Sequence, residues 1–124
     1  MDLDLDTLQQ QAVSTLRHAC HSQGIRPGPD AGESKQEVRT RDAMIGGIAG
    51  LLAGDDHIIQ GFRNSIVTLV NNQHPQGMIP TKVHPGTPHP DISYGRMAGR
   101  VDTNTWFLIG TCIYLLNRAD GTMI

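Results

Sequence analysis

The sequence predicts an all-α domain of antiparallel helical hairpins, and three observations carry that expectation. Apolar residues recur at spacings of three and four in four separate segments. No segment alternates apolar and polar residues as a half-buried strand does, and the one long stretch without a period is rich in proline. With 124 residues, 38% of them apolar and 18% charged, the composition is globular and fits one domain over 1–124.

The first helix is expected over residues 5–22. Leu8, Ala12, Leu16, Ala19 and Cys20 line one face, Asp6 or Thr7 is placed to cap it, and Gly24 stops it before the loop of Pro27 and Pro29. The second, over 42–53, opens at Asp42. Its apolar residues Met44, Ile45, Ile48, Ala49, Leu51 and Leu52 surround most of its circumference, the pattern of a helix buried on more than one side. Gly46, Gly50 and Gly54 fall four apart. Each glycine costs about 1 kcal/mol relative to alanine in a helix, so the stripe calls for close approach of a neighbouring helix.

The third helix, over 56–73, has Asp55 or Asp56 as cap and a stripe of Ile58, Ile59, Phe62, Ile66, Val67, Leu69 and Val70, with Gln60, Arg63, Asn64 and Asn71 on the solvated side. Residues 74–102 hold five of the seven prolines and read as one long loop. A loop of that length inside a domain is a candidate functional segment. The fourth helix, over 103–118, carries Trp106, Phe107, Ile109, Ile113, Tyr114 and Leu116.

Composition narrows the function classes. Ten Lys plus Arg against twelve Asp plus Glu give a formal charge of −2, which supplies no basic footprint for nucleic acid. The apolar run Ala43–Ala53 is shorter than the ~20 residues of a membrane span, so no membrane partner is expected. The acidic start, Asp2, Asp4 and Asp6, is unlike a secretory signal, so a cytoplasmic chain is expected. Cys20 and Cys112 have no metal-knuckle spacing and are expected to be buried free thiols. His18 and His21 lack a nearby third ligand, and His74, His84 and His89 are scattered. Gly46-Gly47 is not followed by the Lys-Ser or Lys-Thr of a phosphate cradle. Neither a metal nor a cofactor is expected.

Short connections make consecutive helices antiparallel, so the second and fourth should run the same way with their N-termini at one end. Asp42 and Asp102, each expected to open one of those helices, would then share a rim with several arginines and an aromatic.

In their order and spacing, Arg41-Asp42, Gln73-His74-Pro75-Gln76-Gly77-Met78-Ile79-Pro80, Tyr94-Gly95, Gly99-Arg100-Val101-Asp102 and Trp106-Phe107 resemble the six-hairpin (α/α)6 glycosidases. Neutral/alkaline invertases and glycogen-debranching amylo-1,6-glucosidases are the nearest types, and the resemblance covers most of residues 38–120. It implies about four of the twelve helices of such a barrel, a single partial domain, with a carbohydrate as substrate. By position, Asp102 would be the general acid that protonates the leaving glycosidic oxygen, with an apolar wall such as Trp106 to raise its pKa. Asp42 would bind sugar hydroxyls, Arg41 and Arg100 would hold the carboxylates or the substrate, and Gln73, Tyr94 and Trp106 would complete the substrate rim. The family usually carries an aromatic where this chain has Arg39, so a stacking platform is missing at that point. Hydrolysis also needs a second carboxylate, which the resemblance places beyond Ile124. The chain is therefore expected to be the N-terminal part of a glycoside hydrolase, inactive alone and prone to self-association. The alternative is a non-catalytic helical fragment that binds a sugar or a partner chain.

Overall fold

The computed structural model describes residues 4–27, 37–86, 89–95 and 97–118, the side chains of 97–100 excepted. In chain order the elements are α1 (Leu5–Ala19), β1 (Cys20–His21), β2 (Gly24–Ile25), β3 (Val38–Arg39), α2 (Thr40–Ala53), α3 (Asp56–Asn71), β4 (Lys82–His84), β5 (Asp91–Ser93) and α4 (Met97–Asn117). The all-α expectation is overturned: beside the four helices lie a two-stranded and a three-stranded antiparallel sheet. Each strand is two or three residues long, too short for alternation to register as a period, and a ladder bonds through backbone groups whatever the side chains.

Helix boundaries moved for identifiable reasons. The carboxylate of Asp4, not Asp6 or Thr7, caps α1 by accepting from the Thr7 N–H, and the chain leaves that helix at Cys20 to form the β1–β2 hairpin. Asp55 caps α3 as expected, accepting from the Ile58 N–H at 3.0 Å. Asp42 does not cap α2; it lies in the first turn, behind Arg39. α4 begins at Met97, so Asp102 sits inside the helix and is not its cap. The expected loop over 74–102 thus holds β4, β5 and the first residues of α4.

α2 packs against α3 on one side and α4 on the other. Met44 lies where a Cβ on Gly110 would stand, and the Phe62 ring lies where a Cβ on Gly47 would stand. Phe62 in turn meets Tyr114 edge-to-face, centroids 5.5 Å apart. The glycine stripe of α2 is only partly a packing stripe. Gly50 lets Ile58 approach and Gly46 faces Leu16 and Ile25, but Gly54 is a left-handed C-cap at φ +67° with open space around it.

The β1–β2 hairpin rides on α3. Ser65 Oγ accepts from the Ile25 N–H at 2.8 Å, and Thr68 Oγ1 donates to the Gln23 carbonyl at 2.6 Å. Gly24, at φ +140°, lies so close to Ser65 that no Cβ would fit there.

In the larger sheet β3 pairs with β4 and β4 with β5, with Val38, Val83 and Ile92 in one register row. Val38 and Val83 are fully buried on the core face. The residues on either side of that row therefore point to the other face.

Gly47→Ala, which pushes a methyl group into the Phe62 ring, is expected to destabilise the fold by about 1–3 kcal/mol. Urea unfolding checks this, and a change near zero would show that α2 and α3 are not in such close contact.

A polar cleft at the heads of two helices

Three threonines set the geometry of the site. Thr40, the first residue of α2, is fully buried; its N–H donates to the Thr81 carbonyl at 3.0 Å and its hydroxyl to the Pro80 carbonyl. Thr81 Oγ1 lies 3.2 Å from the hydroxyl of Thr103 in α4, and the Asn104 side chain accepts from the Ile79 N–H at 3.0 Å. The strand leading into β4 is thereby bonded to the heads of both helices. Arg41 and Asp102 consequently face each other, Nη1 to Oδ2 at 3.6 Å. With Met44 against Gly110 further along, α2 and α4 run in the same direction, as the topology predicts.

Beside this junction opens a cleft of about 430 Å³, lined by Arg39, Arg41 and Asp42 from β3 and α2, Thr81, Lys82 and Ser93 from the sheet, and Asp102 and Thr103 from α4. The register places Arg39, Lys82 and Ser93 in one cross-strand row. Next to it, Glu37 is buried and accepts from Arg39 Nε at 2.6 Å, with His84 Nδ1 at 4.0 Å from its other oxygen. The hydrogen bond to Glu37 holds the Arg39 guanidinium above its ordinary pKa, against the opposing effect of burial, so it stays charged. Arg41 and Asp102 remain accessible, with side chains 63% and 50% exposed.

Comparison with family models, with curated proteins and with solved structures finds no match to the chain. The site is therefore read from its own groups.

Of the expected site residues, the structure brings Arg41, Asp42 and Asp102 together in the cleft and sends three elsewhere. Trp106 is part-buried and packs on the core rather than lining the cleft. The Tyr94 hydroxyl donates to the Asn72 carbonyl at 2.9 Å and its ring stacks edge-to-face on His74, which ties the end of β5 to the end of α3. Gln73 Nε2 donates to the Gly77 carbonyl at 2.8 Å and braces the turn after α3. Arg100 belongs to the first turn of α4, and its side chain lies outside the described residues. The apolar wall expected around Asp102 is not supplied by Trp106, and solvent reaches half of the carboxylate side chain.

Sequence reasoning missed Thr81, Lys82, Ser93 and Thr103, and treated Arg39 only as a departure from a family pattern. A signal existed: Glu37-Val38-Arg39, Lys82-Val83-His84 and Asp91-Ile92-Ser93 are three polar, β-branched, polar triplets. Each is one strand with its branched residue inward.

Neither thiol lines the cleft. Cys20 is half-buried, and burial, with Asp55 nearby, pushes its pKa up to about 11. Cys112 is exposed rather than buried, since it falls on the outer face of α4. Among the described residues no group of three potential ligands could hold a metal, and no helix is long and apolar enough to cross a membrane.

Because Asp102 is an exposed mid-helix partner of Arg41 and Asp55 is a true cap, their substitutions should separate. Asp102→Asn is expected to change stability by less than about 0.5 kcal/mol, and Asp55→Ala to cost about 1 kcal/mol. Denaturant melts check both; a large loss for Asp102→Asn would make that carboxylate a structural one.

Proposed function

We propose that the cleft at the heads of α2 and α4 binds a carbohydrate, and that the chain serves as part of a six-hairpin type glycoside hydrolase acting on O-glycosidic bonds in a cytoplasmic setting. The observation that carries this reading is the meeting of Asp42 and Asp102 in one cleft with Arg41 between the helices. Carboxylates and hydroxyl side chains in a water-filled cleft are the groups that exchange hydrogen bonds with sugar hydroxyls, and Thr81, Ser93 and Thr103 add three hydroxyls to the two acids. In this reading Asp42, near the uncapped start of α2, accepts from the sugar. Asp102 is the general acid, and its exposed face is where a leaving oxygen would approach.

Hydrolysis divides its work between that acid and a second carboxylate acting as base or nucleophile. The reading assigns the second group to a further part of the enzyme and expects this chain alone to bind without turnover. Apolar side chains on the outer faces of α2 and α4 support an assembly of that kind. Leu52 is 85% and Leu116 82% exposed, and Ile45, Val101, Leu108, Ile109 and Leu115 are exposed with them. Surfaces of this sort mark association sites, to be covered by further helices of such an enzyme or by self-association. A non-catalytic sugar-binding role is the second reading, favoured by the exposure of Asp102 and the lack of an apolar wall against it.

Calorimetric titration tests the shared core of both readings. The chain should bind a simple hexose or hexoside, with no hydrolysis detected, and Asp42→Ala should weaken binding by about tenfold, the loss of one or two hydrogen bonds to a charged acceptor. Unchanged affinity in Asp42→Ala, or no binding by the unaltered chain, would remove the cleft as a sugar site.

A further inference from the structure

We infer that the sugar taken by this cleft carries one negatively charged substituent, a phosphate or a carboxylate, which Arg39 and Lys82 contact; this rests on the sugar-binding reading and narrows it.

Arg39 and Lys82 are directly paired across β3 and β4, and both line the cleft. Side chains so placed have their Cβ atoms roughly 4.5–5.5 Å apart, and like charges at such a pair are destabilising. Glu37 relieves only part of this. It accepts from the Nε of Arg39, which leaves the end of the guanidinium, between its two terminal nitrogens, for another acceptor. Lys82 forms no ion pair within 4.0 Å among the described residues. Two neighbouring cations thus keep donors free on the cleft side.

The two helices add carboxylates to the same cleft. Asp42 and Asp102 project from the helices, and the one cation there, Arg41, is matched to Asp102. Of the three lining cations, Arg39 has Glu37 at its Nε and Arg41 has Asp102, which leaves Lys82 as the one with no ion pair among the described residues. A neutral sugar would satisfy the carboxylates and leave Lys82, and the terminal nitrogens of Arg39 beside it, without an anionic partner. A bare anion would match the cations but meet two carboxylates in the same cleft. A hydroxyl-rich ring with a single anionic group satisfies both sets of groups, since charge-assisted hydrogen bonds form at each end.

The test is a calorimetric titration of the chain with four probes: glucose, glucuronate, glucose phosphate and inorganic phosphate. It is run on the unaltered protein, on Lys82→Ala and on Lys82→Arg, with circular dichroism to verify that the exposed substitutions leave the helices intact. At least one charged sugar is expected to bind about tenfold or more tightly than glucose, the scale of a hydrogen bond to a charged group, and the advantage should shrink with added salt. The stronger of the two names the substituent. Within the Lys82→Ala variant the charged sugar should lose its advantage over glucose, whatever the affinity of that variant for glucose itself, and Lys82→Arg should keep the advantage. Equal affinity for glucose and both charged sugars would overturn this inference and leave the sugar reading standing. Inorganic phosphate binding as tightly as glucose phosphate, or no binding by any probe, would overturn both. An advantage that survives Lys82→Ala would overturn the assignment to the paired cations.

Discussion

The heads of α2 and α4 are held in place by hydrogen bonds between Thr40, Thr103 and Asn104 and one segment, residues 79–81, that leads into β4. α2 starts without a side-chain cap, and the carbonyl of Thr81 takes over that duty for the Thr40 N–H. The hydroxyl of Thr40 reaches the preceding carbonyl, and Thr81 then passes the connection to Thr103. Thr40 and Thr103 are both buried, so these polar groups are costly to strand and strongly favour the arrangement that satisfies them. From this junction follow the pairing of Arg41 with Asp102, the parallel course of α2 and α4, and the cleft beside them.

The same junction explains why the molecule has two different kinds of surface. At the helix heads, polar backbone and hydroxyl groups draw the sheet in, and charged side chains crowd into the cleft. Further along, α2 and α4 pack closely through Met44 and Gly110 but leave apolar residues such as Leu52, Leu108 and Leu116 in water on their outer sides. The apolar circumference of α2 is thus used on the sides facing α3 and α4 and open on the remainder. A polar site at one end and uncovered apolar flanks are the features expected of a unit that works against further helices.

The helices were legible because their cores are periodic and two of their ends carry standard signals. Asp55 before Ile58, Ile59 and Phe62 located α3 within two residues at each end. The start of α4 was not legible, since the first turn around Met97 has no apolar period and follows a proline-rich stretch. That shift of six residues puts Asp102 in the second turn of α4 and not at its cap. The sheet was hidden for a different reason: its strands contribute one inward residue each, Val38, Val83 and Ile92, and a single residue has no period. The rim of Arg41, Asp42 and Asp102 was legible from topology alone. Its cationic pair was not, because Arg39 and Lys82 lie far apart in sequence and meet only through strand register.

The central claim is that residues from β3, β4, β5, α2 and α4 form one sugar-binding surface. Backbone amide NMR of the labelled chain during titration with glucose measures it most directly. The account predicts concerted shifts at Arg41, Asp42, Lys82, Ser93 and Thr103, with a common saturation point. Shifts confined to the apolar groove between α1 and α2, around Leu16 and Ile45, or scattered with unrelated midpoints, would contradict it.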